Sequence, residues 1–258
     1  MARVKYYNEY DFKFALAKGH VEGHINLHKF GRNPSCALNS PEAIWNGGDV
    51  YTGHNAVAAE ILTVVSSDAA DDAVAVGTGA WTVRLFGLDA NWDPLVEDVI
   101  LDGVTPVDTV AAFIRMDRAR VLTAGTGAKN AGTITAAQKV TTANVMMVMP
   151  IGYNSTMIAA WTIPAGYNGF FTGWTASLSG GATGNALVRL LARPDGQTFQ
   201  VQEELSVVAA GASTLERVYI TPKGAYGEKT DIFIEATAGS NGVGVAGSFD
   251  MLIVKEGF

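Results

Sequence analysis

Short apolar runs alternate with polar positions along most of the chain after Glu60. In WTVRLF, residues 81–86, the apolar side chains at the first, third and fifth positions are separated by Thr82 and Arg84. A period of two places such side chains on one face of an extended strand. Gly, Asp, Asn and Pro interrupt the runs, and helical periodicity is nearly absent. The pattern therefore predicts antiparallel β structure.

The predicted strands form two series. The first series comprises residues 60–66, 81–88, 95–101 and 111–122. The second comprises residues 144–150, 155–163, 168–179, 185–194, 198–208, 214–221, 230–238 and 245–257. Eight short strands joined by turn sequences such as SGGATG and RPDGQ are typical of a sandwich or jelly roll. We predict a first β domain over residues 56–143 and a C-terminal, jelly-roll-like β sandwich over residues 144–258.

The first 55 residues have a different pattern. They are rich in Gly, Asn, His and aromatic residues, and segments such as WNGGDVYTG contain too many turn residues for a regular element. Only DFKFALAKG, residues 11–19, could form a short helix, which would end at Gly19. We predict an extended N-terminal arm over residues 1–55 that lies across another surface. The predicted fold class is therefore all-β, with an arm followed by two antiparallel β domains.

Three of the four histidines, His20, His24 and His28, are spaced by four. This spacing would suit a metal site on one face of an intact helix. Gly19 and Gly23 interrupt such a helix, however, and in an extended chain HINLHKF alternates polar and apolar side chains. We interpret the histidines as structural, with a subunit-interface role and a metal site as the alternatives. The residues we expect to make attachment contacts are His24, His28, Lys29, Phe30, Arg32 and Asn33.

Three loop sequences resemble ligand motifs, but a structural or solvated loop is the better interpretation of each. DANWDP, residues 89–94, has Pro where a calcium loop needs Gly, so we interpret it as a hairpin turn. SSDAADD, residues 66–72, could hold a hard cation, but such acidic loops are more often solvated. GTGAKNAG, residues 125–132, lacks the Lys-Ser/Thr pair of a phosphate loop and is interpreted as a hairpin loop. No catalytic grouping is recognisable, so we expect no enzyme activity, cofactor or metal.

Composition narrows the function classes. The chain has 258 residues, of which 48% are hydrophobic and 17% charged, and a net charge of −7. A negative chain is a poor general ligand for nucleic acid or an anionic membrane. Residues 1–36 are the exception, with six basic and three acidic side chains. The only cysteine, Cys36, excludes an intrachain disulfide. No signal peptide and no apolar run long enough to span a membrane is predicted.

Several segments carry a family resemblance. GHINLHKFGRNP, IWNGGDVYTG and WTVRLFGLDANWDPLVEDVILDGVTPV, together with WTIPAGYNGFFTGWTASLSGG, resemble a family of tailed-bacteriophage virion structural proteins. The resemblance covers most of the chain, and the leader motif is moderately specific. It implies a virion component assembled in the host cytoplasm. It implies no catalytic residues.

Two roles in a virion are open from the sequence. The first is a capsid decoration or cement protein that binds the head shell, forms a closed oligomer such as a trimer, and contacts the major capsid protein. The alternative is a tail adaptor, fibre or receptor-binding protein. A degradative tailspike is disfavoured because paired carboxylates and a repeat pattern are missing. Aromatic residues that could bind glycans in the second role are Trp161, Tyr167, Phe170, Phe171 and Trp174. The other interpretation, which we favour, is that they form the sandwich core and an interface.

Overall fold

The computed structural model describes residues 9–179, 184–209 and 214–258. In this part of the chain one α-helix and one 3-10 helix accompany sixteen β-strands. The helices are α1 Glu9–Ala17 and η1 Thr52–Asn55. The strands are β1 His24–Cys36, β2 Pro41–Ala43, β3 Glu60–Ser66, β4 Ala80–Leu88, β5 Pro94–Ile100, β6 Val107–Phe113, β7 Arg115–Ala124, β8 Ile134–Gln138, β9 Val145–Met149, β10 Ala160–Thr162, β11 Tyr167–Ser179, β12 Asn185–Arg193, β13 Gln200–Val208, β14 Thr214–Tyr226, β15 Asp231–Ala238 and β16 Val243–Lys255. The predicted all-β class is confirmed.

The C-terminal strands form a jelly roll. One sheet has the order β1-β16-β11-β14, and the other has the order β10-β15-β12-β13, with β2 also pairing with β15. If β2 and β10 are counted as two halves of one strand, the eight strands in chain order are arranged 1-8-3-6 and 2-7-4-5. All pairs within these sheets are antiparallel. This is the two-sheet jelly-roll topology, as the sequence pattern predicts.

The core of the jelly roll follows from alternation along its central strands. In β16, Phe249, Met251 and Ile253 are fully buried, and the residues between them are half-buried. They pack against inward side chains of the other sheet, such as Val188 and Ile234. Each large apolar side chain removed from water contributes about 1.5–3 kcal/mol, so this shared core holds the two sheets together.

A second domain interrupts one strand of the jelly roll. The amide of Ile44 donates to the carbonyl of Ile234, and the amide of Ile234 donates to that of Ala159. The amide of Ala159 in turn donates to the carbonyl of Ile44. The strand that begins as β2 therefore continues as β10 along the same partner, β15. Everything between Trp45 and Ile158, which form an antiparallel bridge, is inserted at this point.

The inserted domain is a smaller β sandwich. Its sheets have the orders β6-β3-β8-β9 and β5-β4-β7. Its core is built from its own strands, including Leu62, Leu85, Phe113, Ile134 and Met147, all of them buried. The predicted hairpin at DANWDP joins β4 to β5, whose ends pair at Leu88 and Pro94.

Strand pairing corrects the boundaries predicted at residues 55 and 143. Residues 24–36 are extended, but they form the edge strand β1 of the jelly roll. Strand β9, which the sequence pattern assigned to the C-terminal domain, pairs with β8 and buries its methionines in the inserted domain. Residues 125–132 connect β7 and β8, which belong to different sheets, so this loop is not a hairpin. Most of the predicted turn SGGATG and residues 1–8 of the predicted arm lie outside the described residues.

The N-terminal helix ends as its sequence predicts. Gly19 has a φ of 69°, which glycine adopts without a steric penalty. The amide of Gly19 donates to the carbonyl of Leu16, and the amide of His20 donates to that of Ala15. These two bonds form a Schellman motif, which satisfies the last carbonyls of α1.

Candidate functional site

The residues predicted for attachment divide between the two sides of β1. His28 and Phe30 are exposed and their rings stack, with centroids 5.9 Å apart. The Nδ1 atom of His28 lies 2.6 Å from a carboxylate oxygen of Asp250 on the neighbouring strand. His24 also lies on β1, where its Nδ1 atom is 2.9 Å from the carbonyl oxygen of Glu22. His28 and Phe30 are therefore accessible to a partner.

Lys29 and Asn33 point into the molecule. The ammonium of Lys29 donates to the backbone carbonyl of Asp117 in the inserted domain. Burial lowers the pKa of Lys29 to about 8, and burial raises the pKa of Asp117 to about 7. The side-chain amide of Asn33 donates to the carboxylate of Glu42 at 2.7 Å. Their contacts lie within the chain, so we assign these two residues to holding β1 in place.

A continuous exposed surface links β1 to β7. The guanidinium of Arg118 donates to Ser155 Oγ, and Arg118, His28 and Phe30 line the same small depression. Arg32 donates to the hydroxyl of Tyr153 at 3.3 Å. Arg120 lies 5.2 Å from the ring centroid of Phe86. We call the set the β1–β7 surface: His28, Phe30, Arg32, Arg118, Arg120 and Tyr153.

The β1–β7 surface carries three arginines, with Asp250 beside His28 and Asp98 near Arg120. The net charge of the chain is −7. Yet Arg32, Arg118 and Arg120 take part in none of the salt bridges among residues 9–179, 184–209 and 214–258. Three guanidiniums outside these salt bridges, beside exposed aromatic rings, are suited to binding an acidic protein surface.

Three of the five aromatic residues considered for glycan binding belong to the core, which is the interpretation that the sequence favours. Trp161, Phe171 and Trp174 are at most 7% exposed and belong to the jelly-roll core. Phe171 and Trp174 both face inward, although they are three residues apart, because a register shift separates Phe171 from Gly173. Tyr167 and Phe170 are half-buried. A surface site built on all five is therefore excluded, since three of them are buried.

A cluster of buried charges joins the two domains. Asp231, at the start of β15, accepts hydrogen bonds from Arg115 Nε at 2.7 Å and Arg193 Nη2 at 2.6 Å. The hydroxyl of Thr162 donates to the same carboxylate at 2.6 Å. Arg115 belongs to the inserted domain and Asp231 to the jelly roll. The pair is buried and fully hydrogen-bonded, which is the condition for a buried ion pair to be tolerated.

The fourth histidine, His54, completes this cluster. Its Nε2 atom lies 3.9 Å from Asp231, and its ring contacts Tyr51 with centroids 5.0 Å apart. Burial lowers the pKa of His54 to about 4. Burial alone would raise the pKa of Asp231, but the proximity of His54 and the bonds from Arg115 outweigh it and hold the pKa well below its usual range. His54 is therefore neutral and Asp231 charged at neutral pH.

An open cleft of about 370 Å³ lies beside the charge cluster. Residues of both domains line it, among them Asn55, Trp92, Arg193, Asp195 and Gln197. The guanidinium of Arg115 lies 4.7 Å from the centroid of the Trp92 ring. Ligand pockets commonly have this size and commonly lie between domains.

The acidic and glycine-rich loops form one structural unit. The buried carboxylate of Asp71 accepts bonds from Ser66 Oγ and from the amides of Ala80, Ala131 and Gly132, at 2.6–2.8 Å. Protein donors thus occupy both of its oxygens. Among the described residues no group of three or more His, Cys, Asp or Glu side chains is placed to hold a metal ion. We assign the two loops a structural role.

Sequence reasoning missed the domain junction. Arg115 and Asp231 are separated by 116 positions, and neither belongs to a recognisable motif. Trp92 was noticed only as part of a turn. No local sequence pattern reports ion pairs between residues this far apart.

Comparisons with known proteins do not identify a family or a function for this chain. No family model matches the chain, and no curated protein matches it. Its structure is similar to one of the infectious bursal disease virus Gx strain, with 12% identity, 92% of this chain and 73% of the other covered, and a TM-score of 0.27. A VP2 subviral particle of the same virus gives 10% identity, coverages of 96% and 78%, and a TM-score of 0.23. Similarity this weak carries no argument about function. In the part of the chain described, no helix is long and apolar enough to cross a membrane.

Proposed function

We propose that the protein is a non-enzymatic structural component of a bacteriophage virion and that it decorates the head shell. The observation that carries this proposal is the β1–β7 surface. It places arginines that form no salt bridge within the described residues, together with exposed aromatic side chains, on two β domains. The sequence resemblance to virion structural proteins supports the same role. The jelly roll is compatible with it, since this fold is common in viral shells, although a fold alone does not determine function.

The β1–β7 surface would bind an acidic part of the major capsid protein. Charged side chains of opposite sign speed the encounter and fix its orientation, and the aromatic rings supply apolar contact area. Binding would need no ordering of these residues, because β1 is already paired along β16. A preorganised surface loses less conformational entropy on binding than a flexible arm does.

Self-association would add to this attachment. On β14, an edge strand of the jelly roll, Leu215, Val218 and Ile220 are exposed, the last of them completely. Exposed apolar side chains on a sheet edge favour association. We propose a closed oligomer, a trimer, that covers this edge and presents several copies of the β1–β7 surface together. Several weak contacts then act as one strong attachment.

Charge reversal on the β1–β7 surface tests the proposal. The double variant Arg118→Glu, Arg120→Glu replaces two exposed side chains and leaves both cores intact. We expect its incorporation into particles to fall at least about tenfold, which corresponds to a loss of about 1.4 kcal/mol per particle site. Incorporation is measured by immunoblotting of purified particles after complementation in the host.

The matched control is Lys255→Glu. Lys255 is an exposed basic side chain at the end of β16, and it takes part in none of the salt bridges of the described residues. We expect its incorporation to equal that of the wild type. Equal incorporation of the Arg118→Glu, Arg120→Glu variant would refute the proposed attachment surface.

The tail role remains the second candidate. Its main support in the sequence was the aromatic cluster, and three of those five residues are in the core. Copy number separates the two roles, because a shell protein is present in far more copies than a tail protein.

A further inference from the structure

The cleft between the domains carries an inference that is independent of shell attachment. We propose that this cleft binds a neutral saccharide unit, with Trp92 as the stacking surface. Three observations support it: the backbone conformation of Trp92, the charge balance of the lining, and the free hydrogen-bonding groups at the mouth of the cleft.

Trp92 occupies a position that suits glycine. Its φ is 66°, in the left-handed region that a bulky residue rarely adopts. The amide of Trp92 donates to the carbonyl of Asp89, and its own carbonyl accepts from Ala165 of the jelly roll. A strained backbone conformation persists only where the surrounding structure enforces it, and positions with such a conformation are candidate functional sites. The indole is half-buried, and the guanidinium of Arg115 lies over its ring. The ring is thus held in place before any ligand arrives.

The lining charges are balanced. Arg115 and Arg193 are offset by Asp231 and Asp195, and His54 is neutral. Arg115 already donates to Asp231, Ala56 and Ile114. A phosphate or carboxylate would therefore find no uncompensated cation in the cleft. A neutral ligand fits this lining better than an anion.

The mouth of the cleft offers unused polar groups. In the described part of the chain, no hydrogen bond involves the side chains of Asn55, Asp195 or Gln197, and all three are exposed. Two amides and a carboxylate can donate to and accept from neighbouring hydroxyl groups. Together with an aromatic face for the C–H side of a sugar ring, they define a site for a hexose.

Ligand-observed NMR on the full chain tests the proposal. The compounds are the methyl glycosides of glucose, galactose, mannose and N-acetylglucosamine, with glucuronate and glucose 6-phosphate as charged comparisons. We expect saturable binding of at least one neutral glycoside, with a dissociation constant on the order of millimolar. The charged compounds should bind more weakly.

Two variants separate loss of the site from loss of folding. Trp92→Gly removes the indole but suits the backbone φ of 66°, so the chain should still fold. We expect it to weaken binding at least tenfold. Gln197→Ala, in an exposed turn, should weaken binding severalfold. Phe14→Ala removes an exposed aromatic ring on α1, outside the cleft, and should leave binding unchanged.

Three results would overturn the proposal: no saturable binding of any neutral glycoside, unchanged binding by Trp92→Gly and Gln197→Ala, or tighter binding of the charged compounds. None of them bears on shell attachment, which depends on the β1–β7 surface. Likewise, failure of Arg118→Glu, Arg120→Glu to reduce incorporation would leave the saccharide site intact.

Discussion

Asp231 shows how one side chain can hold two domains together. Its carboxylate accepts bonds from Arg115 of the inserted domain and from Arg193 and Thr162 of the jelly roll. Removing one partner of a buried ion pair leaves the other charge without compensation, which costs far more than losing an exposed pair. The junction therefore depends on this residue more than on any surface ion pair.

Replacing Asp231 should strongly destabilise the protein. We expect Asp231→Asn to lower the free energy of unfolding by about 3–5 kcal/mol, because two guanidiniums lose their counter-charge. Asp98→Asn, which removes an exposed salt bridge to Arg84, is the control and should cost far less. Urea unfolding followed by circular dichroism measures both. Similar effects of the two variants would contradict the role of the junction.

Two buried groups give opposite pH dependences. The folded-state pKa of His54 is lowered to about 4, so the unfolded chain binds more protons below pH 6.5 and stability falls as pH drops from 6.5 to 4. The folded-state pKa of Asp117 is raised to about 7, so the folded chain holds the extra proton and stability falls as pH rises from 4 to 7. In the wild type the two contributions oppose each other.

Single variants should reveal each contribution. We expect His54→Gln to lose more stability than the wild type as pH rises from 4 to 7, because the opposing contribution of His54 is removed. Asp117→Asn should lose less stability than the wild type over the same rise, because the contribution of Asp117 is removed. Denaturant midpoints measured across this range check both signs. The same slope in both variants would show that these groups do not control the pH dependence.

At the level of residues, sequence reasoning found accessible side chains better than buried ones. It singled out His28, Phe30 and Arg32, which lie on the β1–β7 surface, but it could not separate them from Lys29 and Asn33. Side chains alternate between the two faces of β1, but which face is exposed becomes clear only when β1 is paired with β16. The contact of Lys29 with Asp117 spans 88 positions, which no local pattern reports.

At the level of elements, alternation and turn residues located most strands. The pattern merged β6 and β7 into one strand of residues 111–122, because Ile114 between them is apolar and buried. It also missed that β1 belongs to the jelly roll, since an edge strand rich in His, Asn and Gly resembles a loop in composition. The register shift inside β11 likewise has no signature in the sequence.

Gly31 tests the position of β1 in the jelly roll. A Cβ atom at this position would collide with the carbonyl oxygen of Ile44 and the amide nitrogen of Ala159, where β2 continues as β10. We expect Gly31→Ala to cost about 1–3 kcal/mol, because backbone atoms must move. Gly227→Ala meets open space and should change stability by less than about 1 kcal/mol. Thermal unfolding compares the two, and a stable Gly31→Ala variant would contradict this packing.

At the level of the whole molecule, the chain is a jelly roll with a second sandwich inserted into one of its strands. The insertion explains why the sequence predicted two domains in series. Each series of strands is locally complete, and only the pairing of Ile44 and Ala159 with Ile234 shows that one domain lies inside the other. This pairing brings together Ile44 and Ala159, which are 115 positions apart, and leaves no local trace in the sequence.

The inserted domain should fold alone. Its core cluster lies entirely between Leu62 and Met149. A segment of residues 58–150 is larger than the small domains that need disulfides, metals or oligomerisation to be stable. We expect cooperative urea unfolding and a β-sheet circular dichroism spectrum for this segment. A broad, non-cooperative transition would show that the jelly roll is required for its folding.

Copy number in purified virions tests the central claim most directly. Quantitative mass spectrometry against the major capsid protein gives the number of copies per particle. A shell decoration protein should be present at on the order of hundreds of copies, in a fixed ratio to the capsid lattice. A few to about a dozen copies would contradict the claim and place the protein in the tail. Absence from purified particles would contradict any virion role.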